Sequence, residues 1–396
     1  MNYNDKALHS LMTINREQVQ DSRSNHALLG YWAAHEQYSM QDLLRFVVEA
    51  EKNGFTTTMT SDHFHPWWHD NAYGNFAWIW IAAAAERTKK MQFVTGVTAP
   101  IYRYHPAIIA QAFASLDILY PGRIGLGLGT GESMNETPLG FDWPRPKARL
   151  KRMIEAAQII SKLWHTKSNR DKNNDNNTVN GETLSNYDKV ADHNDGFVYF
   201  NGEYFLIRNA KLYSPPTSHH IPIYIAAAGP ESAKASAKYS DGLITFLKAK
   251  ESQKVLNVFD RTIRKHGKGE DDDNDAINSK QKIAEYKVSY SNNYEKAFNS
   301  SKFWRATLLK GAFDTSISDP RKLEQKAKQQ VPDQELKESI EITTSIEDCI
   351  KSIEEYFKIG FTKVYVHSTS PNEIEFIREF GKKILPYFQE QIKRNG

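Results

Sequence analysis

"SMQDLLRFVVEAEKNGFTTTMTSDHFHPWWHD", Ser39 to Asp70, holds a helix, a strand and a loop in that order. Ser39 stands where a helix N-cap belongs, apolar residues recur at 43, 44, 47 and 48, and Gly54 supplies the stop. The run "FTTTMTS" over 55–61 reads as a short strand. It leads into three histidines, two aspartates and two tryptophans within residues 60–70.

The same unit repeats on both sides. "ALLGYWA" (27–33) is a strand before the helix. After the loop come the helix "GNFAWIWIAAAAERTKK" (74–90), the strand "MQFVTGVT" (91–98), the helix "PAIIAQAFASLDILYPG" (106–122) and the strand "RIGLGLG" (123–129). Trp78 and Trp80 fall at apolar helical spacing and are assigned to the core. A long helix runs from Lys147 to about His165. "IPIYIAAAG" (221–229), "DGLITFL" (241–247), "KIAEYKVSYS" (282–291) and "TKVYVHSTS" (362–370) complete the strands. Eight strands, near 29, 57, 93, 124, 222, 242, 283 and 363, predict a (β/α)8 TIM barrel, with an open doubly wound sheet as the alternative. The strands alternate little between apolar and polar residues, which suits strands covered on both faces. In such a barrel the functional groups sit at the C-terminal strand ends.

Residues 1–26 are polar and read as an N-terminal tail, leaving 27–396 as a single barrel domain. Polar stretches at 167–195 and 267–280 have too few large apolar residues to form a core and are expected to be surface insertions. The net charge of +3 over 396 residues, with both signs interspersed, gives no electrostatic footprint for nucleic acid. No apolar run reaches the roughly 18 residues a membrane span needs. The single cysteine, Cys349, and the polar start suit a reducing, cytoplasmic setting.

Three successive strand ends carry titratable groups: Glu36, the pair Asp62–His63, and Glu132 in "GLGLGTGESMNE". A histidine with a neighbouring carboxylate at a barrel mouth suits acid–base chemistry. The plainer alternative is a turn capped by Asp62 with solvated histidines, and a tight loop with Glu132 and Glu136 at a helix start. His63 and His65 also form an H-x-H pair, but a metal site needs ligands from other strand ends. The fifth strand has none, His219 and His220 precede it at the opposite end, and the eighth offers only His367, so no metal is expected. The glycines of "GLGLGTG" do not match the G-x-G-x-x-G dinucleotide spacing; they suit close backbone approach to a ligand. "AAAGPESAK" places small residues before a helix whose free N–H groups can hold a phosphate.

Taken together, "LGYWAAHEQYS", "SDHFHPWWH" and "RYHPAIIAQAFASLDILYPGRIGLGLGTGESMNE" resemble the luciferase-like flavin and deazaflavin barrel family. More narrowly they resemble its branch of coenzyme F420-dependent glucose-6-phosphate and alcohol dehydrogenases. The likeness continues more loosely through "YIAAAGPESAK", "FW" (303–304) and "SDP" (318–320). It implies coenzyme F420 as cofactor, a small-molecule substrate, a homodimer, and hydride transfer between a carbinol carbon and C5 of F420. An FMN-dependent monooxygenase is the alternative within the same family.

By that resemblance His63 is the base for the substrate hydroxyl, Glu132 acts at the N1 side of the ring, and Glu36 joins them. Asp62, Ala99, Thr130, Gly131 and Asn135 belong to the cofactor site. So does a non-proline cis peptide, here Gly96–Val97. Ala228, Gly229, Glu231 and Ser232 contact the tail phosphate, Trp67 walls the reaction centre, and Lys248 meets the substrate. The glucose-6-phosphate branch holds its phosphate with two lysines and an arginine. Lys248 takes the first place, but Asp314 falls on the second, with Lys310 nearby, and the arginine position lands near Ser339. A carboxylate facing a phosphate dianion repels it, so a neutral alcohol or unphosphorylated sugar fits better.

Overall fold

The computed structural model describes residues 28–165, 196–218, 220–265, 276–313 and 316–395. The tail 1–26, the stretch 167–195, Asp314 and most of 267–280 lie outside them. The end of that last stretch does not behave as a polar insertion: Ile277 is buried in the core.

Eleven strands are present among the described residues: β1 Leu28–Ala33, β2 Thr57–Thr60, β3 Gln92–Thr95, β4 Ile124–Leu128, β5 Val198–Asn201, β6 Leu206–Ala210, β7 Ile223–Ala226, β8 Gly242–Thr245, β9 Gln281–Tyr290, β10 Glu341–Thr343 and β11 Lys363–Ser368. The order β9-β11-β1-β2-β3-β4-β7-β8 closes through a β8–β9 pairing, giving a parallel barrel of eight strands. These are the eight strands read from the sequence, and the (β/α)8 fold stands. Two additions were not foreseen. β10 lies parallel beside β9, and β5 and β6 form an antiparallel hairpin outside the barrel. The hairpin turn is held by Glu155, whose carboxylate accepts from the backbone N–H groups of Glu203, Tyr204 and Phe205 at 2.8, 3.0 and 3.0 Å.

Alternation along the strands separates two cores. On β3 and β7, Phe93, Ile223 and Ile225 face the helices, while Val94 and Tyr224 join Met59, Ile244, Ile283 and Tyr365 inside the barrel. The helix Met40–Lys52 shows how the outer layer is set. Ser39 Oγ accepts from Asp42 N at 3.1 Å, and Leu43, Phe46, Val47 and Ala50 are buried against the barrel. Each such side chain taken from water contributes roughly 1.5–3 kcal/mol. Trp78 and Trp80 are buried in the same layer. The interior is filled below, and a cavity opens at the C-terminal strand ends.

A buried carboxyl lies between β11 and the layer around it. Glu373 opens the helix Glu373–Lys383 and accepts from Tyr38 Oη at 3.2 Å. Burial pushes its carboxyl from an ordinary 4.5 up to about 7. Because the folded value exceeds the unfolded one, the stabilising neutral form is fully present below about 4.5 and is lost as pH rises through about 7. The loss is on the order of 3 kcal/mol. Glu373→Gln is therefore expected to raise the denaturation midpoint at pH 8 and to change it little at pH 5. An equal gain at both would contradict this account.

Candidate active site

The C-terminal strand ends surround one cavity of about 470 Å³. Glu36 follows β1, Ser61 and His63 follow β2, Gly96 and Val97 follow β3, and Gly129 to Glu132 follow β4. Ala226 to Ala228, Phe246 to Lys248, Glu285 to Lys287 and His367 complete the ring of strand ends.

Glu36 is buried and accepts from Ser61 Oγ at 2.5 Å. Its other oxygen is 3.5 Å from His63 Nδ1, a distance that orients the imidazole without a full hydrogen bond. His63 Nδ1 has no hydrogen-bond partner, and the ring stands 6.0 Å from Trp67. Trp67 lines the cavity and packs edge-on against Phe313 at 5.3 Å.

Asp62 is turned away from this space. Its carboxylate accepts from Thr98 Oγ1 at 2.7 Å, from an Arg103 Nη at 3.0 Å and from Tyr104 Oη at 3.3 Å. The same Arg103 nitrogen donates to the Asp62 carbonyl at 2.8 Å. Burial, reinforced by the Asp62 charge, holds the Tyr104 phenol well above its ordinary range and so a donor. Both oxygens of Asp62 are thus committed to fixing the backbone from which His63 projects.

Glu132 lines the cavity, and Asn135 stands behind it. Asn135 Nδ2 donates to Glu132 at 2.9 Å, while its carbonyl oxygen accepts from Phe64 N at 2.7 Å. This side chain therefore couples the β4 loop to the β2 loop. The wall between them is built from Gly96, Val97, Gly129, Thr130 and Gly131. The Gly96–Val97 peptide is cis, as the family resemblance implied. A Cβ on Gly129 would fall 2.3 Å from Val97 Cγ2. Gly131 adopts φ +66 over Ala99, a left-handed backbone that favours glycine. Thr130 and Gly131 line the cavity; Ala99 lies beneath them.

Of the tail residues, Ala228 and Ser232 line the cavity but Gly229 and Glu231 do not. Glu231 is exposed and paired with Lys234 at 2.6 Å. Lys248 lines it, with Nζ donating to the Glu338 carbonyl, and Ser339 is adjacent.

A segment after β9 clamps the β2 loop from above. His65 Nδ1 meets the Ser318 carbonyl at 3.0 Å. Glu324 accepts from His69 N and Asp70 N at 2.9 and 3.0 Å. Burial opposes ionisation of Glu324, but Lys328 and these two N–H groups outweigh it and hold its carboxyl below the usual range. Trp304, from the "FW" pair, donates its indole N–H to Gln37 at 2.9 Å.

Several lining residues escaped assignment from the sequence: Trp32, Ser61, Glu285, Lys287, Trp304 and His367. Glu285 and Lys287 carried a signal, because two charges at period two in an apolar strand point to one face. His367 was weighed only as a metal ligand. Among the described residues no group of three or more His, Cys, Asp or Glu is arranged to hold a metal ion, and no helix is long and apolar enough to cross a membrane.

Comparison with known proteins follows the same lines. The model of the luciferase-like monooxygenase family matches residues 26–363. An F420-dependent glucose-6-phosphate dehydrogenase from Microbacterium testaceum (strain StLB037) is 31% identical over 367 residues, 92% of this chain and 98% of that protein. The enzyme of the same name from Mycolicibacterium smegmatis (strain ATCC 700084 / mc(2)155) is 32% identical over 363 residues, 90% of this chain and 97% of its own. A solved F420-dependent secondary alcohol dehydrogenase in complex with an F420-acetone adduct superposes with a TM-score of 0.79 at 31% identity, covering 92% of this chain and 99% of that one.

Proposed function

The chain belongs to the luciferase-like monooxygenase family, and on that premise we propose that it is a coenzyme F420-dependent dehydrogenase acting on a CH–OH group. The observation that carries this is one cavity in which the His63–Glu36 pair and Glu132 border the segments Gly96–Val97 and Gly129–Gly131, three of whose five residues are glycine. Glycine there permits close approach of a planar ring to the backbone, and a Cβ at Gly129 would drive into the Val97 side chain. The residues present fit a deazaflavin.

When bound, F420 supplies the hydride acceptor for the carbinol carbon. His63 is positioned by Glu36 to take the hydroxyl proton as the C–H bond breaks. Glu132, steadied by Asn135, would place a carboxyl against the bound ring. Trp67 and Phe313 exclude water on one side. Ala228 and Ser232 offer a helix start to the anionic tail. Asp62 and Ala99 support the site from behind rather than touching its contents.

The cavity wall argues for an uncharged substrate. Glu36, Glu132, Glu285, Glu341 and Glu355 face it against Lys248 and Lys287, so carboxylates outnumber lysines. A phosphate dianion there meets net repulsion. A neutral alcohol or unphosphorylated sugar is the better match, although the relatives above are named for glucose-6-phosphate. Binding of F420 in preference to FMN tests the assignment.

We extend the proposal to a cytoplasmic homodimer. Ile79 is 62% exposed, and Ile108 and Leu119, at 53% and 64%, lie with Ala112 on one face of the helix Pro106–Leu119. Its neighbour Ala77–Arg87 meets it through Trp78 and Phe113 at 5.6 Å. Exposed apolar residues on two neighbouring helices suit a second copy of the chain. A solution mass of one chain would remove it.

A further inference from the structure

On β11 and β9, the strands next to β1 on the side away from β2, the cavity holds a second histidine–carboxylate pair. His367 on β11 is 1% exposed and stacks on Trp32, with ring centroids 5.1 Å apart and planes inclined by 7°. Trp304 meets its edge at 4.4 Å. Nδ1 of His367 is hydrogen-bonded to Glu285, and Glu285 is 3.6 Å from Lys287 Nζ. Lys287 also lies over the Trp304 ring at 4.4 Å. The second imidazole nitrogen, Nε2, is buried and has no hydrogen-bond partner.

The chemistry of these groups fixes what they can receive. Burial disfavours the Glu285 charge, but Lys287 and His367 outweigh it and keep its carboxyl below the usual range. Burial likewise lowers His367, against the pull of Glu285, leaving the imidazole neutral near pH 7. An ionised carboxylate only accepts, so Nδ1 carries the proton and Nε2, on a residue that lines the cavity, keeps an unshared lone pair. Lys287 beside it only donates. An acceptor and a donor at one place match a hydroxyl, which does both. A phosphate oxygen or a ketone would leave the buried Nε2 unpaired, at a cost of about 1–3 kcal/mol.

We propose that His367, Glu285 and Lys287 form a second hydroxyl-binding subsite, and that the substrate is a neutral diol or polyol rather than a simple alcohol or a phosphorylated sugar. This rests on the dehydrogenase assignment above, because the reacting hydroxyl occupies the His63 end. The subsite is not used by the proton transfer itself; it positions the substrate.

The test compares propane-1,2-diol and a hexitol with propan-2-ol as substrates of the F420-loaded protein. The diol or the hexitol should exceed propan-2-ol in kcat/KM by about tenfold or more, chiefly through KM. His367→Phe keeps the stack on Trp32 but removes the acceptor, and the preference should collapse toward one. His367→Gln retains an acceptor and should restore part of it. F420 affinity of both variants, read by fluorescence, shows that the barrel is intact. Equal kcat/KM for all three alcohols in the native enzyme, or a preference unchanged in His367→Phe, overturns the subsite. If none is oxidised while F420 binds, calorimetric titration of the loaded protein with the same compounds decides: equal affinities overturn the proposal, and a polyol preference lost in His367→Phe supports it. Failure to bind F420 at all would instead reject the dehydrogenase assignment.

Discussion

His63→Ala should lower kcat/KM for F420-dependent alcohol oxidation by about 10²–10⁴-fold, the range for losing a positioned general base. F420 affinity should change little, because His63 lines the cavity beside Trp67 rather than at the glycine-rich segments Gly96–Val97 and Gly129–Gly131. The loss should fall on kcat, since the proton leaves the substrate only as the C–H bond breaks. Steady-state kinetics with saturating F420 measures it. A variant with native kcat and raised KM would show His63 to be a binding group only.

Arg103→Ala should destabilise the protein by about 3–5 kcal/mol, the cost of stranding one member of a buried ion pair. The side chains of Arg103 and Asp62 are 8% and 1% exposed, so water cannot replace the guanidinium. Arg103 also holds the Asp62 carbonyl, and its own N–H donates to Glu136 at 2.7 Å. Adding Asp62→Asn removes the stranded charge and should recover part of the loss. Denaturant unfolding of the two variants gives both values. A loss below about 1 kcal/mol, typical of exposed pairs, would mean that Asp62 is solvated and free to face the cavity.

That Asp62 is a scaffold could not be read beside His63, because its partner Arg103 is 41 residues away. The barrel was legible for the opposite reason. Each strand is a short apolar run set between amphipathic helices, and the local periodicity repeats eight times. What interrupts that repeat was not. β10 is three residues long, too short to show a period, and the β5–β6 hairpin follows directly on a polar stretch. The clamp around Ser318 and Glu324 shows only as isolated motifs in sequence, since its contacts run back about 250 residues to His65, His69 and Asp70. The site divides similarly. Glu36, His63 and Glu132 stand at strand ends where the fold places them. Glu285 and Lys287 sit within β9, and only the parallel pairing of β9 with β11, 82 residues on at Glu285–His367, brings them to that histidine.

The most direct test of the central claim is titration of the purified protein with F420 and, separately, with FMN, followed by fluorescence. Saturable F420 binding at micromolar concentration or below, with FMN much weaker, is the expected result. FMN binding without F420 binding would contradict the deazaflavin assignment and place the cavity among the monooxygenases that share this barrel.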